Sequence, residues 1–275
     1  MSVYTLRDSK LTKKNSGKVL KLRSEEEAAG LQEKYLHKYG KCGAVCDTDT
    51  KGHATPQDQD LLELMVNAPD GFVPLWDKNV TLRWRFQEQA LLQFENVDEI
   101  KSYVRTLMAE GIQEWGDAVP VRFKEANEAW DFELVIQAER KCSINGCTLA
   151  SAFFPDAGRH ELNIYPTMFN QSRQEQIETM AHELGHVFGL RHFFADVSET
   201  AWPAELFGTH SRFSIMNYGA DSSMTDNDRK DLKTLYALAH SGELDEINGT
   251  RIKLVRPFSE TRLPTYGLEL IAARH

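Results

Sequence analysis

The sequence predicts an α+β fold, in which a twisted mixed sheet of about five strands carries two long helices and a smaller C-terminal subdomain. Apolar and polar residues alternate over residues 80–86, which is the period of a half-buried strand. Residues 97–115 and 172–189 instead repeat their apolar residues at helical spacing. Short apolar runs between these two helical segments supply the remaining strands.

The order of elements divides the chain into three regions. Residues 1–70 form an N-terminal extension, in which a capping box opening at Ser24 predicts a helix running toward Lys38. Residues 71–240 form the main body, and residues 241–275 form a C-terminal extension. A strand is expected in that last region, over residues 252–255.

Within the main body, each element has its own signal. The strand over 80–86 comes first, and the helix over 97–115 presents one apolar stripe. Four further strands are predicted at 119–123, 132–136, 149–154 and 162–165. The next helix opens at a capping box formed by Ser172 and Glu175 and stops at Gly189. The last clear helix opens at Thr225.

Composition and charge exclude some classes of binding partner. Acidic residues outnumber basic residues by 41 to 32, which gives a formal net charge of −9. This charge repels phosphate backbones and anionic membrane surfaces, so we expect no nucleic-acid partner. No apolar run approaches the roughly 18 residues that a membrane span requires. We expect a globular protein that is a monomer.

The cysteines form two close pairs, Cys42 with Cys46 and Cys142 with Cys147. This spacing suits two local disulfides in an oxidising compartment. N-x-S/T sequons, which suit a secreted glycoprotein, begin at Asn79, Asn170 and Asn248. We therefore predict a secreted, extracellular protein, although no signal-peptide hydrophobic segment is visible at the start of the chain.

The segment from His182 to His192 satisfies the pattern H-E-x-x-H-x-x-G-x-x-H in full. Residues four apart on a helix point the same way, so His182 and His186 can reach one metal ion from one side. Gly189 can take a positive φ, end the helix and turn His192 back to complete a three-histidine site. No cysteine lies nearby to close the fourth position, and an open position is typical of a catalytic zinc.

Glu183 directly follows the first of these histidines. A bound zinc ion can lower the pKa of water from about 15.7 to roughly 7, and a carboxylate beside the metal can take that water's proton. We therefore predict one catalytic Zn2+ with Glu183 as the general base. The other histidines show no ligand spacing and are expected to be structural or surface residues: His37, His53, His160, His210, His240 and His275.

The extended motif, together with Ser214-Ile-Met-Asn-Tyr218, resembles the metzincin zinc endopeptidases, whose long zinc motif is followed by a methionine-containing turn. The resemblance implies a zincin fold and cleavage of internal peptide bonds. It also implies that Met216 packs beneath the three imidazoles as a hydrophobic floor. Tyr218 matches a tyrosine of astacin-like and serralysin-like members that can stabilise the tetrahedral intermediate, and packing within the turn is its alternative role.

Other stretches resemble the matrixin branch, and the resemblance spans residues 75–240. The similar segments are 81–86, 113–123, 149–155 and 224–236. Phe193, after the third histidine, departs from the main branches and leaves the subfamily open. Because the fourth and fifth strands lack the histidines that hold a second zinc in matrixins, we predict no second zinc. The sequence shows no recognisable Ca2+ motif, so whether the protein also binds Ca2+ is left undecided.

Residues 41–47 resemble the matrixin cysteine switch, in which a prosegment thiolate fills the open zinc position. The spacing to the aspartate is one residue too long, and Cys46 invites a disulfide with Cys42. A bridged or structural pair is favoured. A cysteine switch at Cys42 or Cys46 remains the alternative, and it would give residues 1–70 a prosegment-like role.

The sequence therefore predicts a zinc endopeptidase that binds extended peptide along an edge strand at 149–154. Two alternatives remain. A zinc exopeptidase would need groups that capture a substrate terminus, and no such motif is legible. A noncatalytic, zinc-containing protein-binding module would keep the fold without the chemistry, but it would not need Glu183.

Overall fold

A five-stranded mixed sheet forms the centre of the computed structural model. The structure describes residues 19–21, 43–45, 64–67, 71–142, 146–192, 204–207, 214–216 and 222–261. The helix expected from Ser24 toward Lys38 lies outside these residues. The predicted fold class is confirmed: a mixed sheet of five strands with two long helices packed on it.

The described strands and helices are, in chain order, β1 (Gly43–Val45), β2 (Leu64–Asn67), β3 (Phe72–Trp76), β4 (Thr81–Phe86), α1 (Glu88–Leu91), α2 (Val97–Trp115), β5 (Arg122–Glu125), β6 (Phe132–Ile136), β7 (Lys141–Cys142), β8 (Gly146–Thr148), β9 (Ala150–Ser151), β10 (His160–Ile164), α3 (Arg173–Val187), β11 (Ala204–Phe207), α4 (Asp226–Ser241), β12 (Glu246–Ile247), β13 (Thr250–Val255) and α5 (Phe258–Thr261). Short 3-10 helices at Gly116–Ala118 and Pro166–Asn170 follow α2 and β10.

The main sheet has the strand order β5-β4-β6-β10-β9, and β9 alone among them runs antiparallel to its neighbour. The central strand β6 is buried along its whole length, whereas β4 alternates buried and half-buried residues. This difference follows from position, because a central strand covered on both faces has no solvent side. The edge strand β9 has only two paired residues.

Two of the predicted strands differ from the observed ones by more than two residues at one end. The run expected at 119–123 pairs as β5 from Arg122, because the 3-10 helix Gly116–Ala118 and Pro120, which has no backbone N–H, precede it. The strand expected at 149–154 is reduced to β9, with β8 just before it. Residues 152–155, which end in a proline, follow β9 and are not part of a strand.

The two long helices pack against each other and match their predicted limits closely. The helix α2 has the predicted bounds, and Gly116, with φ +56°, ends it. The helix α3 begins at the predicted capping box, where Glu175 N–H donates to Ser172 Oγ and Ser172 N–H donates to Glu175 Oε2. A Cβ on Gly111 of α2 would lie 2.7 Å from Met180 Cγ, so glycine permits the close helix contact.

The described part of the C-terminal extension lies along the main body. Strand β13 pairs in parallel with β3 and forms a hairpin with β12, so these three strands make a second sheet. Two smaller pairings join chain regions far apart in sequence: β1 with the β7–β8 hairpin, and β2 with β11. In the part of the chain that the structure describes, no helix has the length and apolar character that crossing a bilayer demands.

The predicted bridge between Cys142 and Cys147 is present and links β7 to β8 across their hairpin. The Cα atoms of the two cysteines lie 3.9 Å apart. Cys42 and Cys46 lie outside the described residues, so the choice between a disulfide and a switch stays a prediction.

Candidate metal centre

Three imidazoles converge on one point at the end of α3. The Nε2 atoms of His182 and His192 lie 2.9 Å apart, and the Nε2 atom of His186 lies 3.2 Å from each of them. Among the described residues, this is the one group of three or more His, Cys, Asp or Glu side chains whose atoms could hold a metal ion. The spacing predicted from the motif therefore brings the three side chains together.

The donor set suits zinc. Zinc–histidine bonds of about 2.0–2.1 Å in tetrahedral geometry place two ligand nitrogens roughly 3.3 Å apart. The three Nε2 separations are close to that value, and neutral imidazole nitrogen is a common zinc ligand. Three protein ligands leave the fourth tetrahedral position for a reactant.

The other ring nitrogens of two of these histidines are fixed by backbone carbonyls. His182 Nδ1–H donates to Ile215 O at 2.7 Å, and His186 Nδ1–H donates to Leu190 O at 2.8 Å. Since a carbonyl can only accept, each Nδ1 must carry the proton and each Nε2 keeps its lone pair. Such partners orient metal-binding histidines and select their tautomer.

Gly189 gives the turn its shape. It has φ +94°, as predicted, and a Cβ there would lie 3.3 Å from both Leu75 Cδ2 and Pro74 O. Gly189 N–H donates to His186 O and Leu190 N–H donates to Gly185 O, the pair of bonds that closes a helix in a Schellman motif. This turn presents Leu190 O to His186 and returns the chain to His192.

Met216 lies against α3 on the side of Gly185. The methionine is buried, and a Cβ on Gly185 would clash with Met216 Sδ and lie 3.2 Å from Trp115 Cζ2. Only a residue without a side chain leaves room for the sulfur there. The sequence analysis missed this requirement at Gly185, because a close approach across the fold leaves no local signal.

The turn that carries Met216 is held by the first turn of α4, a contact that the sequence analysis also missed. Ser214 Oγ donates to Asp228 Oδ1 at 2.6 Å, and Ile215 N–H donates to Asp228 Oδ2 at 3.3 Å. Met216 N–H in turn donates to Ser214 Oγ at 3.1 Å. The sequence predicted a helix that begins at Thr225, but not the contact of Asp228, in its first turn, with the turn that carries Met216.

Glu183 sits on α3 between the first two histidines and is 1% exposed. The aromatic ring of Phe154, at the end of the edge segment, lies 5.5 Å from the ring of His186 in an edge-to-face contact. The edge that was predicted to bind peptide therefore passes beside a metal-site histidine. Tyr218 and Phe193 lie outside the described residues.

Two of the remaining histidines are described, and neither joins the triad. His160 stacks on Phe153 with ring centroids 4.5 Å apart. His240 Nε2–H donates to Trp76 O at 2.9 Å. His37, His53, His210 and His275 lie outside the described residues.

Comparison with known proteins identifies the family. The Matrixin family model matches residues 75–237. No curated protein matches the chain significantly in sequence. The chain is similar to the solved structure of myroilysin, with 14% identity, a TM-score of 0.41 and coverage of 62% of this chain and 98% of that one. It is also similar to high choriolytic enzyme 1, a hatching-enzyme zinc protease from Oryzias latipes (medaka), with 14% identity, a TM-score of 0.36 and coverage of 59% and 94%. Because the family match spans more than half of the 275 residues, the chain belongs to the matrixin family of zinc metallopeptidases.

Proposed function

We propose that this zinc metallopeptidase is an endopeptidase in which His182, His186 and His192 hold one catalytic zinc and Glu183 is the general base. The observation that supports this proposal is the convergence of three Nε2 atoms within 3.2 Å of one another, with a carboxylate on the same helix. The carboxylate is what separates catalysis from mere metal binding, since the three histidines suffice for the metal.

Zinc at this site would act as a Lewis acid and would lower the pKa of water from about 15.7 to roughly 7. The Glu183 carboxylate accepts a proton from the attacking water and later delivers it to the nitrogen of the leaving amine. The burial of Glu183 keeps this transfer away from bulk solvent, where the proton would exchange. The Nδ1–H bonds of His182 and His186 keep those two rings in one orientation throughout.

Internal cleavage is supported by the edge of the main sheet. Among the described residues, strand β9 pairs with β10 on one side only, and the following segment runs past His186 through Phe154. An extended peptide can add to such an edge by backbone hydrogen bonds, which do not require a free terminus. We propose that Tyr218 assists by stabilising the tetrahedral intermediate, the role that its position after Met216 implies.

We also propose that the protein works outside the cell. The Cys142–Cys147 disulfide is typical of an oxidising compartment. The asparagines of the three sequons, Asn79, Asn170 and Asn248, are all exposed and so accessible to glycosylation.

The decisive variant is Glu183→Gln, which keeps the size of the side chain and removes the base. We expect it to bind zinc as the parent does, measured by elemental analysis, while kcat/KM on an unstructured protein falls by about 10²–10⁴-fold. Glu178→Gln, on the same helix, is the matched control and should leave kcat/KM unchanged.

Mass spectrometry of the products tests the endopeptidase proposal separately. Internal fragments support it, whereas stepwise loss of terminal residues would make the protein an exopeptidase. A chain that binds zinc and cuts nothing would be a binding module.

A further inference from the structure

A cavity of about 340 Å³ lies where three segments meet: the turn from β3 to β4, residues 119–122 at the start of β5, and the last turn of α4. None of the three metal-site histidines lines it. Sites for small molecules have volumes of about 300–1,000 Å³, so this space suits a ligand at the small end of that range. We call it the Arg122 cavity, after one of the residues that line it.

The lining of the Arg122 cavity is basic, although the chain as a whole carries a net charge of −9. Lys78, Arg122 and His240 contribute to the lining, and no aspartate or glutamate does. Among the described residues, neither Lys78 nor Arg122 makes an ion pair. Because salt screens charges beyond roughly 8 Å, these two cations outweigh distant carboxylates for an anion in the cavity.

Asp77 directly precedes Lys78 in the chain, and its carboxylate already has partners. It accepts from Lys78 N–H at 2.7 Å and from Arg256 Nε–H at 2.9 Å. Arg256 therefore balances the charge of Asp77, and the positive charges of Lys78 and Arg122 are left for a ligand.

The guanidinium of Arg122 is held in place by neutral oxygens. Its Nε–H donates to Thr81 Oγ1 at 3.2 Å, and its Nη2–H donates to Asn79 O at 2.7 Å. The backbone N–H of Arg122 also donates to Val80 O at 3.0 Å. These bonds orient the side chain without neutralising it, and they leave its Nη1 group to donate to a ligand. A group held in this way loses little conformational freedom when it binds an anion.

The rest of the lining supplies a fixed imidazole and an apolar wall. His240 Nε2–H donates to Trp76 O at 2.9 Å, so Nδ1 is the ring nitrogen left for a ligand. Val80, Val119 and Pro120 provide apolar surface. An inorganic ion would leave that surface uncovered, whereas a ligand with an apolar part would bury it.

We propose that the Arg122 cavity binds a small phosphate monoester whose phosphate group contacts Arg122 and Lys78 and whose apolar body packs on Val80, Val119 and Pro120. A phosphate monoester carries a charge of about −1.5 to −2 at pH 7, which matches two positive side chains. A carboxylate or a sulfate ester carries a single charge and would leave one cation unbalanced. This site goes beyond the proposed peptidase function and does not depend on it.

The test is an NMR titration of the 15N-labelled, zinc-loaded, full-length chain with phenyl phosphate. The amides of residues 78–80 and 121–122 should shift and reach saturation. Phosphate oxygens can also bind zinc, so the amides of residues 189–192 are followed in the same spectra. Shifts confined to residues 189–192 would place the phosphate on the metal and overturn the proposal.

Charge variants test the two proposed contacts. Lys78→Gln and Arg122→Gln should each weaken phenyl phosphate binding by about tenfold or more, because each removes a charge-assisted hydrogen bond. Lys78→Arg keeps the charge and should bind within about threefold of the parent. Thermal unfolding shows whether Arg122→Gln folds, and Lys78→Gln carries the test if it does not.

Lys124→Gln is the matched control, because Lys124 is an exposed cation of the same strand, β5, and does not line the cavity. It should change the affinity by less than about twofold, since screening weakens the effect of a distant charge. If Lys124→Gln weakened binding as much as Lys78→Gln, the attraction would be general and the proposal would be wrong.

Three further probes test the chemistry of the ligand. Inorganic phosphate should bind about fivefold more weakly than phenyl phosphate, because it leaves the apolar wall uncovered. Phenyl sulfate should also bind about fivefold more weakly, because it carries one charge. An N-acetylated phosphotyrosine amide should bind no more tightly than phenyl phosphate. Equal affinity for either of the first two probes, or tenfold tighter binding of the phosphotyrosine amide, would overturn the assignment to a small phosphate monoester.

Discussion

A single carboxylate, that of Asp228, ties the start of α4 to the metal centre. It accepts from Thr225 N–H at 2.9 Å and Thr225 Oγ at 2.8 Å, which caps the helix. It also accepts from Ser214 and from the backbone N–H of Ile215, whose carbonyl fixes His182. The helix cap and the orientation of a metal-site histidine therefore depend on the same two oxygens.

We predict that Asp228→Asn lowers both the free energy of unfolding and the affinity for zinc. The amide has one acceptor oxygen, so its NH2 group faces a donor, and each buried donor left unpaired costs about 1–3 kcal/mol. Displacing a partner that orients a metal-binding histidine lowers metal affinity by about 10–100-fold. The measurements are thermal unfolding of the metal-free chain and zinc affinity by chelator competition.

Asp226→Asn is the control, because Asp226 lies in the same first turn with a fully exposed side chain. It should lower zinc affinity by less than about twofold, since exposed ion pairs contribute little. If Asp228→Asn bound zinc as tightly as the parent, the contact of Asp228 with Ile215, which fixes His182, would contribute nothing to zinc affinity.

The sequence predicted the histidines and Gly189 because their geometry is local. Four-residue spacing on a helix and a glycine at its end fix where the three rings lie, whatever surrounds them. The contact of Asp228 with Ser214 joins residues that are 14 apart in sequence, so it depends on how the two segments pack. The fit of Met216 at Gly185 depends on packing in the same way.

Among the elements, α3 is fastened at its C-terminal end by hydrogen bonds from two neighbouring elements. Trp76 Nε1–H of β3 donates to Val187 O at 2.7 Å, and Tyr236 O–H of α4 donates to Phe188 O at 3.0 Å. The Tyr236 hydroxyl also accepts from Trp76 N–H at 3.2 Å. One buried hydroxyl thus joins β3, α3 and α4 just before the turn that returns His192 to the site.

We predict that Tyr236→Phe lowers the free energy of unfolding by about 1–3 kcal/mol, because it leaves a buried N–H and a buried C=O without this partner. Urea denaturation measures the loss. Tyr103→Phe is the control. The half-buried Tyr103 hydroxyl donates to Gln176 Oε1, and its removal should cost about 0.5–1.5 kcal/mol. Equal losses in the two variants would contradict a special role for Tyr236.

The Tyr236 hydroxyl also makes the free energy of unfolding depend on pH. Burial raises the pKa of Tyr236 above its ordinary value, and the bond from Trp76 N–H offsets this only in part. Above about pH 10 the unfolded tyrosine loses its proton while the folded one keeps it, so the folded state binds more protons and stability falls. Below that pH the stabilisation that depends on the protonated Tyr236 is fully present. The stability of Tyr236→Phe should not fall with this alkaline titration.

The sequence predicted helices and strands well where an apolar pattern repeats over many residues, and poorly where the strands are short. The 19-residue helix α2 was predicted with its observed bounds, because its apolar stripe repeats over several turns. Strand β3 was missed: four of its five residues are buried, so its apolar run does not alternate, and it contains a proline. The pairings of β1 with β8 and β2 with β11 join distant regions that carry no mutual signal in the sequence.

On the scale of the whole molecule, the described part of the C-terminal extension closes over the main sheet. Ser259 N–H and Ser259 Oγ, at the start of α5, donate to the buried carboxylate of Asp131, which also accepts from Arg83 N–H of β4. Glu260 Oε1 accepts from Thr81 N–H at 3.1 Å. Together with the β13–β3 ladder, these bonds make residues 250–261 a strap across the main body, which we call the C-terminal strap.

We predict that the C-terminal strap unfolds together with the main body and that Asp131→Asn destabilises both. The buried carboxylate accepts from three donors, and the amide can accept from fewer, so we expect a loss of about 1–3 kcal/mol in the free energy of unfolding. Arg256→Gln is the control, because Arg256 meets Asp77 at the surface and should contribute less than about 1 kcal/mol. Native-state hydrogen exchange gives the test: the amides of β13 should open with the same free energy as those of β6, and Asp131→Asn should lower both equally. Amides of β13 that open at much lower free energy than those of β6 would instead make the strap a separate, weakly attached unit whose loss leaves the metal centre intact.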